Sequence, residues 1–246
     1  MAESTYVFGW HAAMAVLEKA SETVIEVWLD QQRDDARVRQ LQSQLDRLGI
    51  KLQRCDKNQL DDRVNGQTHQ GIVLLCKLPR TRSEGSLEDL LADLPHTPLL
   101  LILDGVTDPH NLGACLRSAD AAGVDAVIIP KDRAVGLTPV VCKVASGAAH
   151  CIPVFQVTNL ARTLKMLKSR GIWLVGTTGN AEQSIYELDL NGPLGVVMGA
   201  EGKGMRRLTE EACDYLANIP MAGHVSSLNV SVATGVVLFE AVRQRM

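Results

Sequence analysis

The sequence predicts an α/β protein whose carboxyl-terminal part is a parallel sheet covered by helices on both faces. From residue 99 onward, apolar runs of strand length alternate with amphipathic helical patterns, as in consecutive β–α–β units. The run at residues 99–103 contains no polar residue, which is typical of a strand buried on both faces. A length of 246 residues and a hydrophobic content of 46% are sufficient for such a core.

Composition and charge argue against several classes of protein. Lys and Arg total 25 and Asp and Glu total 28, so a net charge of -3 gives no broad basic field, and any RNA contact must be a local patch. The sequence opens without a basic and apolar leader, and no apolar run reaches the roughly 18 residues of a membrane span, so we expect a cytoplasmic protein. The six cysteines lack metal-ligand spacing, which predicts buried thiols and no metal site.

The amino-terminal residues 1–77 predict a small α/β domain. Its strands are expected at residues 6–8, 24–29, 50–54 and 72–75, and its helices at residues 11–19 and 36–48. Gly49 follows the second helix at the position where a left-handed residue usually ends a helix. Acidic and basic residues balance in this part of the chain, so an RNA partner would be chosen by shape and local contacts.

Residues 78–98 predict a linker, because several prolines and Gly85 surround one short helical piece at residues 87–94. Residues 99–246 then form the second domain. Strands are expected there at residues 99–103, 126–129, 172–176, 194–198 and 216–219, and helices at residues 139–145, 160–169, 205–215 and 228–245. The last helix carries no charge from residue 228 to residue 239, so we expect it to be buried, in part against a second subunit.

A polar turn at residues 108–113 joins the first strand of this domain to a helix. The apolar face of that helix leaves Asn111 at the strand–helix junction and Arg117 off the apolar face. Ligands of open parallel sheets bind at the carboxyl ends of the strands, where this turn lies. The alternative is structural: Asp108 or Asn111 caps the helix, Pro109 occupies its first turn and Arg117 is a solvated charge.

Two later loops also follow predicted strands. Residues 199–204 contain three glycines, which let backbone pass close to a ligand, but a tight turn with Glu201 as a helix cap is the alternative. In residues 220–229, Ser227 and Asn229 either cap the last helix or act as hydrogen-bonding groups at the same sheet edge. His224 has no acidic neighbour, so we interpret it as an exposed loop residue.

Common nucleotide-binding and nucleophile motifs are missing from the sequence. There is no dinucleotide fingerprint and no Gly-rich adenosylmethionine loop of the Rossmann type after the first strand of the second domain. A Walker loop and a G-x-S-x-G elbow are missing as well. If the three polar loops form a site, it belongs to another class of α/β enzyme.

The three loops together resemble the three motifs of the SPOUT methyltransferases, specifically the SpoU (TrmH) family of RNA ribose 2′-O-methyltransferases. The matching segments are DPHNLGACLRSADAAG (108–123), VMGAEGKGM (197–205) and IPMAGHVSSLNVSVATG (219–235). The amino-terminal residues are similar to the RNA-binding domain of this family. The resemblance implies a deep trefoil knot in the second domain, S-adenosylmethionine as cofactor without a metal, and a homodimer whose active sites use both chains.

The resemblance also implies a reaction and a set of site residues. The most similar members imply 2′-O-methylation of a guanosine ribose of 23S rRNA, in the peptidyl-transferase region, during ribosome biogenesis; the alternative is a tRNA or another rRNA nucleotide. The residues implied at the reaction centre are Asn111, Arg117, Glu201, Ser227 and Asn229. Those implied in the cofactor pocket are Thr177, Gly199, Ile219, Met221 and Leu228.

The role of Arg117 follows from the chemistry of its side chain. A guanidinium is essentially always protonated at neutral pH, so we favour Arg117 as an electrostatic partner of the developing alkoxide and of the nucleotide phosphate over a general base. Lys203, Arg206 and Arg207 are candidate phosphate contacts, or simply the solvated start of a helix.

Two other functions remain open from the residues alone. One is an α/β enzyme that acts on a nucleotide or another small molecule, with residues 199–204 as its phosphate loop. The other is a non-catalytic RNA-binding protein. The joint presence of Asn111, Arg117, Glu201 and Asn229 argues against the second, because binding alone does not require that set.

Overall fold

The computed structural model describes residues 3–246, which form two compact units. The first unit comprises, of the described residues, 3–79 and Leu137–Cys151, and the second comprises Arg80–Gly136 and Ile152–Met246. Residues 1 and 2, where the predicted first domain begins, lie outside the described residues. The first unit therefore takes in a segment, residues 137–151, that the sequence prediction assigned to the second domain.

The first unit is built on a four-stranded sheet. With elements numbered in chain order, it contains β1 (Ser4–Phe8), α1 (Trp10–Lys19), β2 (Val24–Asp30), α2 (Ala36–Leu48), β3 (Leu52–Cys55), α3 (Lys57–Val64), β4 (Ile72–Lys77), α6 (Pro139–Val144) and α7 (Ala148–Cys151). The strand order is β1-β4-β2-β3, so β1 and β3 are the two edges. β4 is antiparallel to β1 and β2, and β3 is parallel to β2.

Helix signals in this unit are partly visible in the sequence. Asp35 caps α2 by accepting hydrogen bonds from the amides of Arg37 and Val38, and Gly49 ends the helix with φ 67°, as predicted. Helix α3 was not predicted because its eight residues contain only two apolar positions, Leu60 and Val64. These two side chains cover one face of the sheet.

The second unit is built on a seven-stranded sheet. It contains β5 (Arg82–Ser83), α4 (Gly85–Asp93), β6 (Leu99–Asp104), α5 (Pro109–Ala121), β7 (Ala126–Pro130), β8 (Val154–Val157), α8 (Leu160–Ser169), β9 (Trp173–Thr177), β10 (Leu194–Gly199), α9 (Arg207–Ala212), β11 (Tyr215–Ala217) and α10 (Val230–Arg245). The strand order is β11-β9-β10-β6-β7-β8-β5, and every neighbouring pair is parallel. The predicted parallel α/β sheet is confirmed.

The order of the strands reverses direction at the centre of this sheet. From β6 the chain adds β7 and β8 on one side and later places β10, β9 and β11 on the other. Such a switch point opens a crevice at the carboxyl ends of the strands, where ligands bind in α/β sheets. Asp104 and Gly199 are paired in register at this point, as the last residues of β6 and β10.

The segment predicted as a linker takes part in the second unit. β5 pairs with β8, and Leu87 of α4 is fully buried in the core beneath the sheet. Strand β8 was missed in the sequence because it is only four residues long. Within residues 3–246, no helix has the length and apolar character needed to cross a membrane.

Candidate active site

Three polar side chains from distant parts of the chain meet at the switch point. The Asn229 side-chain amide donates through Nδ2 to Asn111 Oδ1 at 2.9 Å and to Glu201 Oε1. Asn111 lies in the first turn of α5 and is buried, whereas Glu201 and Asn229 are solvent-accessible. One amide group therefore joins the three loops that the sequence singled out.

Asn229 holds this position because it also begins a helix. Its Oδ1 is the cap of α10 and accepts hydrogen bonds from the amide of Ser231 at 2.9 Å and from the Ser231 hydroxyl at 2.6 Å. The capping role and the hydrogen-bonding role predicted for this residue thus occur together. At the start of α5, Asp108 is the cap and Pro109 occupies the first turn, as predicted.

The glycine-containing turn after β10 is very compact. Ala200 and Gly204 exchange two backbone hydrogen bonds across it, of 3.1 and 2.9 Å. A Cβ on Gly199 would lie 2.3 Å from both the Gly204 carbonyl carbon and the Met205 nitrogen, so only glycine fits there. The turn directs Glu201 toward Asn229, and α9 starts without a side-chain cap, so the alternative role of Glu201 as a helix cap is wrong.

An ion pair between a buried carboxylate and an exposed arginine supports this turn and was missed in the sequence. Asp104 is almost fully buried at the end of β6 and accepts hydrogen bonds from the Arg206 backbone amide at 2.8 Å and from Arg206 Nε at 2.6 Å. Because Arg206 follows the turn directly, the pair fixes the turn to the end of β6. Arg206 thus has a structural partner, although it was a candidate phosphate contact.

Two connected clefts lie beside the network. The larger, of about 470 Å³, is lined by residues that include Gly199, Glu201 and Asn229. The smaller, of about 130 Å³, includes Ile219 and Met221. The two clefts share lining residues: Thr177, Thr178, Gly179, Ser227, Leu228 and Ala233. All five residues predicted for the cofactor pocket therefore line one or both clefts.

The clefts fit S-adenosylmethionine in volume and chemistry. The larger cleft, of about 470 Å³, is in the range of small-molecule sites. The walls combine apolar side chains such as Leu228 with hydroxyl groups such as that of Thr177, which suits an amphipathic nucleoside with a charged tail. Thr177 donates to the Val197 carbonyl at 3.4 Å, which joins the ends of β9 and β10.

A third cavity, of about 270 Å³, shares Glu201 with the larger cleft and also includes Asn111. It is lined by three cations, Arg133, Lys203 and Arg206, and by three carboxylates, Asp104, Asp108 and Glu201. Because Arg206 is paired with Asp104, the charge of this lining is mixed rather than basic.

Arg117 lies outside all three cavities. It is exposed on α5, six residues after Asn111. The same helix packs against α10, where the Cys115 sulfur is 3.5 Å from the Thr234 hydroxyl. Burial raises the pKa of the Cys115 thiol to about 11, so this thiol is not a nucleophile. His224 is exposed in its loop, as interpreted from the sequence.

A crevice at the switch point of a parallel sheet, with glycine backbone on one wall, is typical of the ligand site of an α/β enzyme. Family models identify the class of enzyme: residues 98–239 match the SpoU rRNA methylase family, and residues 6–82 match the RNA 2′-O ribose methyltransferase substrate-binding model. The chain belongs to the SpoU rRNA methylase family.

Curated relatives match along the whole chain. The protein is 55% identical over 245 residues to the 23S rRNA (guanosine-2′-O-)-methyltransferase RlmB of Shewanella oneidensis, which covers 100% of this chain and 99% of the relative. It is also 55% identical over 242 residues to RlmB of Escherichia coli K12, at 98% and 99% coverage.

Solved structures of the family share the fold. The SpoU methyltransferase AviRb of Streptomyces viridochromogenes, in complex with AdoMet, has a TM-score of 0.73 at 24% identity and covers 98% of this chain and 90% of that one. An AdoMet-bound rRNA methyltransferase of Sinorhizobium meliloti gives 0.73 at 23% identity, with 99% and 88% covered.

Proposed function

We propose that this protein transfers the methyl group of S-adenosylmethionine to the 2′-hydroxyl of a guanosine ribose in 23S rRNA. The observation that carries the proposal is the Asn111–Asn229–Glu201 network at the edge of a cleft lined by all five predicted cofactor residues. The full-length identity of about 55% to RlmB enzymes supports the guanosine of 23S rRNA as the target.

The cofactor would be held by the ends of three neighbouring strands. Thr177, Gly199 and Ile219 provide backbone and hydroxyl groups, and Met221 and Leu228 provide apolar surface. S-adenosylmethionine supplies an electrophilic methyl group on a sulfonium. Glu201, Ser227 and Asn229 line the same cleft. They would orient the ribose that receives the methyl group.

The chain's own polar groups then position the attacking oxygen. Asn229 is fixed by its hydrogen bonds, so it presents a rigid amide to the ribose rather than a mobile one. Arg117 stabilises the negative charge that develops on the 2′-oxygen and contacts the nucleotide phosphate, and the phosphate relays the proton. Because Arg117 lies outside the clefts of its own chain, we propose that it serves the site in a homodimer.

The last helix supports the homodimer. Val232 and Phe239 of α10 are seven residues apart and are exposed by 53% and 50%, respectively. Apolar side chains at this spacing lie on one face of a helix, and an uncovered apolar face is typical of an interface. We therefore place the dimer contact on this face of α10.

The trefoil knot of the second unit is part of the same proposal. The chain leaving β11 is hydrogen-bonded along the preceding loop: the Asn218 amide donates to the Gln183 carbonyl at 2.9 Å, and Asn218 Nδ2 donates to the Ala181 carbonyl at 2.6 Å. It then continues into α10, which packs on β10 and α5. Because the chain that leads into α10 is hydrogen-bonded along this earlier loop, its path supports a knot at the cofactor cleft.

The remaining parts of the proposal concern the partner and the location. We propose that the first unit binds the substrate RNA and the second carries out the reaction in the cytoplasm, during ribosome assembly. The match of residues 6–82 to a substrate-binding model of RNA ribose methyltransferases supports this division.

Methylation of defined RNAs tests the function directly. The protein is incubated with labelled S-adenosylmethionine and undermodified 23S rRNA, and the methyl group is mapped. We expect one 2′-O-methylguanosine in the peptidyl-transferase region. If the label is found in tRNA or at another rRNA nucleotide, the enzyme belongs to the same family but has a different RNA substrate. If no RNA is labelled, the proposal is wrong.

Ligand binding and one substitution separate the proposed roles. Adenosylhomocysteine should raise the melting temperature, whereas ATP and GTP should not. Arg117→Ala should reduce turnover by about 10² to 10³, the usual cost of a lost charge-stabilising donor, while the adenosylhomocysteine shift is kept. Near-normal turnover would reject the role of Arg117.

A further inference from the structure

We infer that the first unit holds an unpaired nucleobase of the substrate RNA in a groove between β1, the end of α3 and helix α6. The groove encloses about 230 Å³, the scale of one flat heterocycle rather than of a folded partner. The inference rests on the proposed RNA methyltransferase function, but it assigns a separate binding site. Its lining residues come from three elements of the first unit, and those used below are Ser4, Tyr6, Phe8, Arg63, Asn65 and Lys143.

Aromatic side chains form the floor of the groove. Tyr6 and Phe8 are two residues apart on β1, so they project from the same face of the sheet, and both are half-buried. The ring of Tyr6 lies 6.2 Å from that of Trp28, which belongs to the hydrophobic cluster on the same face of the sheet. Because β1 is an edge strand, the rings of Tyr6 and Phe8 remain partly accessible. Accessible rings on a sheet are surfaces on which RNA bases stack.

The charge of the lining points to an anionic ligand. Arg63 and Lys143 line the groove, and no Asp or Glu is among its lining residues. The whole chain has a net charge of -3, so this lining differs from the average surface. The charge of a phosphate backbone complements the two cations.

Arg63 is held in place before any ligand binds. Its guanidinium carbon lies 4.4 Å from the centre of the Trp28 ring, and its Nη1 donates to the Gln59 carbonyl at 2.7 Å. These contacts restrict the side chain, so less conformational freedom is lost when its other donors bind a phosphate or stack on a base. Lys143 is exposed at the end of α6, where its charge is accessible to a phosphate.

The polar rim favours a nucleobase over an acidic peptide. Asn65 is exposed with φ 54° directly after α3, and Ser4, exposed on the same face of β1 as Tyr6, also lines the groove, so an amide and a hydroxyl border the aromatic floor. Groups that both donate and accept match the edge of a base, whereas a carboxylate only accepts. Aromatic floor, cations and mixed rim together match single-stranded RNA.

Binding measurements on the full chain test this assignment. Dissociation constants are measured for a short single-stranded RNA and for a 23S rRNA fragment, over a series of salt concentrations. Tyr6→Leu should weaken binding at least about fivefold because it removes a stacking surface but keeps apolar volume. Lys143→Ala should weaken binding and reduce the slope of log Kd against log salt by about 1.

The matched control is Lys51→Ala, which removes the same charge beside β3, at the opposite edge of the same sheet. It should bind RNA like the unsubstituted protein. All variants should keep the unsubstituted melting temperature and its increase with adenosylhomocysteine, which shows that both units are folded.

Two results would overturn the inference. One is that Tyr6→Leu and Lys143→Ala bind RNA no more weakly than Lys51→Ala does, while the protein still methylates 23S rRNA; the function would then stand without this groove. The other is that an acidic peptide displaces the short RNA from the groove at lower concentration than a second RNA does. If the unsubstituted protein does not methylate 23S rRNA, the proposed function is wrong. RNA binding to the groove is measured separately and does not depend on that result.

Discussion

The two ends of helix α10 are held by different kinds of contact. At its amino-terminal end, Asn229 bonds to the side chains of Asn111 and Glu201. At its carboxyl-terminal end, Arg245 donates to four backbone carbonyls, at 3.1 Å to Leu190, 2.7 Å to Gly192, 3.3 Å to Pro98 and 3.5 Å to Thr97. Gln244 adds contacts to backbone, since it accepts from the Leu190 amide at 2.9 Å and donates to the Leu188 carbonyl at 3.0 Å.

This difference separates the position of the helix from its chemistry. At the carboxyl-terminal end, side chains bound to backbone groups fix the helix against the sheet, and these contacts do not depend on the identity of neighbouring side chains. Side chains bound to one another at the opposite end can then be specialised for the substrate. Changes at the amino-terminal end should therefore affect turnover most, and changes at the carboxyl-terminal end should affect stability most.

The largest effect is expected from Gly199→Ala, which breaks the turn that carries Glu201 to the helix. The new Cβ would meet backbone at 2.3 Å, so the turn and the cleft wall must shift. Turnover and the adenosylhomocysteine-dependent rise in melting temperature should both be lost. Gly136→Ala, with no atom within 4 Å of its Cβ, is the matched control and should keep both. If Gly199→Ala still binds adenosylhomocysteine, the close approach of the Gly204 and Met205 backbone to Gly199 cannot be as described.

Asn229→Ser should separate the two roles of the amino-terminal end. Serine caps helices about as well as asparagine, so the melting temperature should change little. The hydroxyl cannot reproduce the amide's two hydrogen bonds to Asn111 and Glu201, so turnover should fall by about 10² to 10³. Single-turnover methylation and thermal denaturation measure the two effects. A loss of stability without loss of rate would show that Asn229 is only a cap.

Arg245→Met should have the opposite result. The substitution keeps most of the aliphatic volume but leaves backbone carbonyls without their donor, which costs about 1–3 kcal/mol. For a chain of this size the melting temperature should fall by roughly 2–4 °C per kcal/mol. Turnover at 25 °C should stay close to that of the unsubstituted protein. A rate loss as large as that of Asn229→Ser would mean that the two ends are not separable.

The smallest effect concerns acid stability at the carboxyl-terminal end. Hydrogen bonds from Arg243, and then from Gln244, lower the pKa of Glu240 to about 2. A carboxylate with a lowered pKa contributes stability above its unfolded pKa of about 4.3, and the contribution is lost as the pH falls from there toward 2. Glu240→Gln should therefore be less stable at pH 7 and show a flatter loss between pH 4.5 and 2.5, measured by urea denaturation. If both proteins lose stability with the same slope against pH, Glu240 does not cause this part of the acid sensitivity.

The sequence predicts local features of the site better than its assembly. Asp108 and Pro109 at the start of α5 follow from local chemistry, because caps and first-turn prolines act within a few residues. The pairing of Asp104 with Arg206 spans 102 residues and depends on the register of β6 with β10, which no local period encodes. Asn229 gave two competing interpretations, and only the three-dimensional arrangement could reveal that both apply.

Resemblance to a family supplied what periodicity could not. Gly199 and Leu228 have no shared local pattern, yet they line one cleft. The helical period of the sequence predicts that Arg117 lies on α5, but the distance of Arg117 from the clefts depends on tertiary packing. Short elements such as β5 and α3 were missed because they carry too few apolar residues to give a period.

The parallel pairing of the two central strands has a consequence for synthesis and folding. Leu99 of β6 is bonded in register with Leu194 of β10, so the strands that frame the catalytic edge are separated by most of the second unit. Contacts between such distant residues make folding slow, because a long loop must close before they form. A nascent chain released before β10 has emerged from the ribosome cannot contain the cleft, so the enzyme becomes competent only near the end of its own translation.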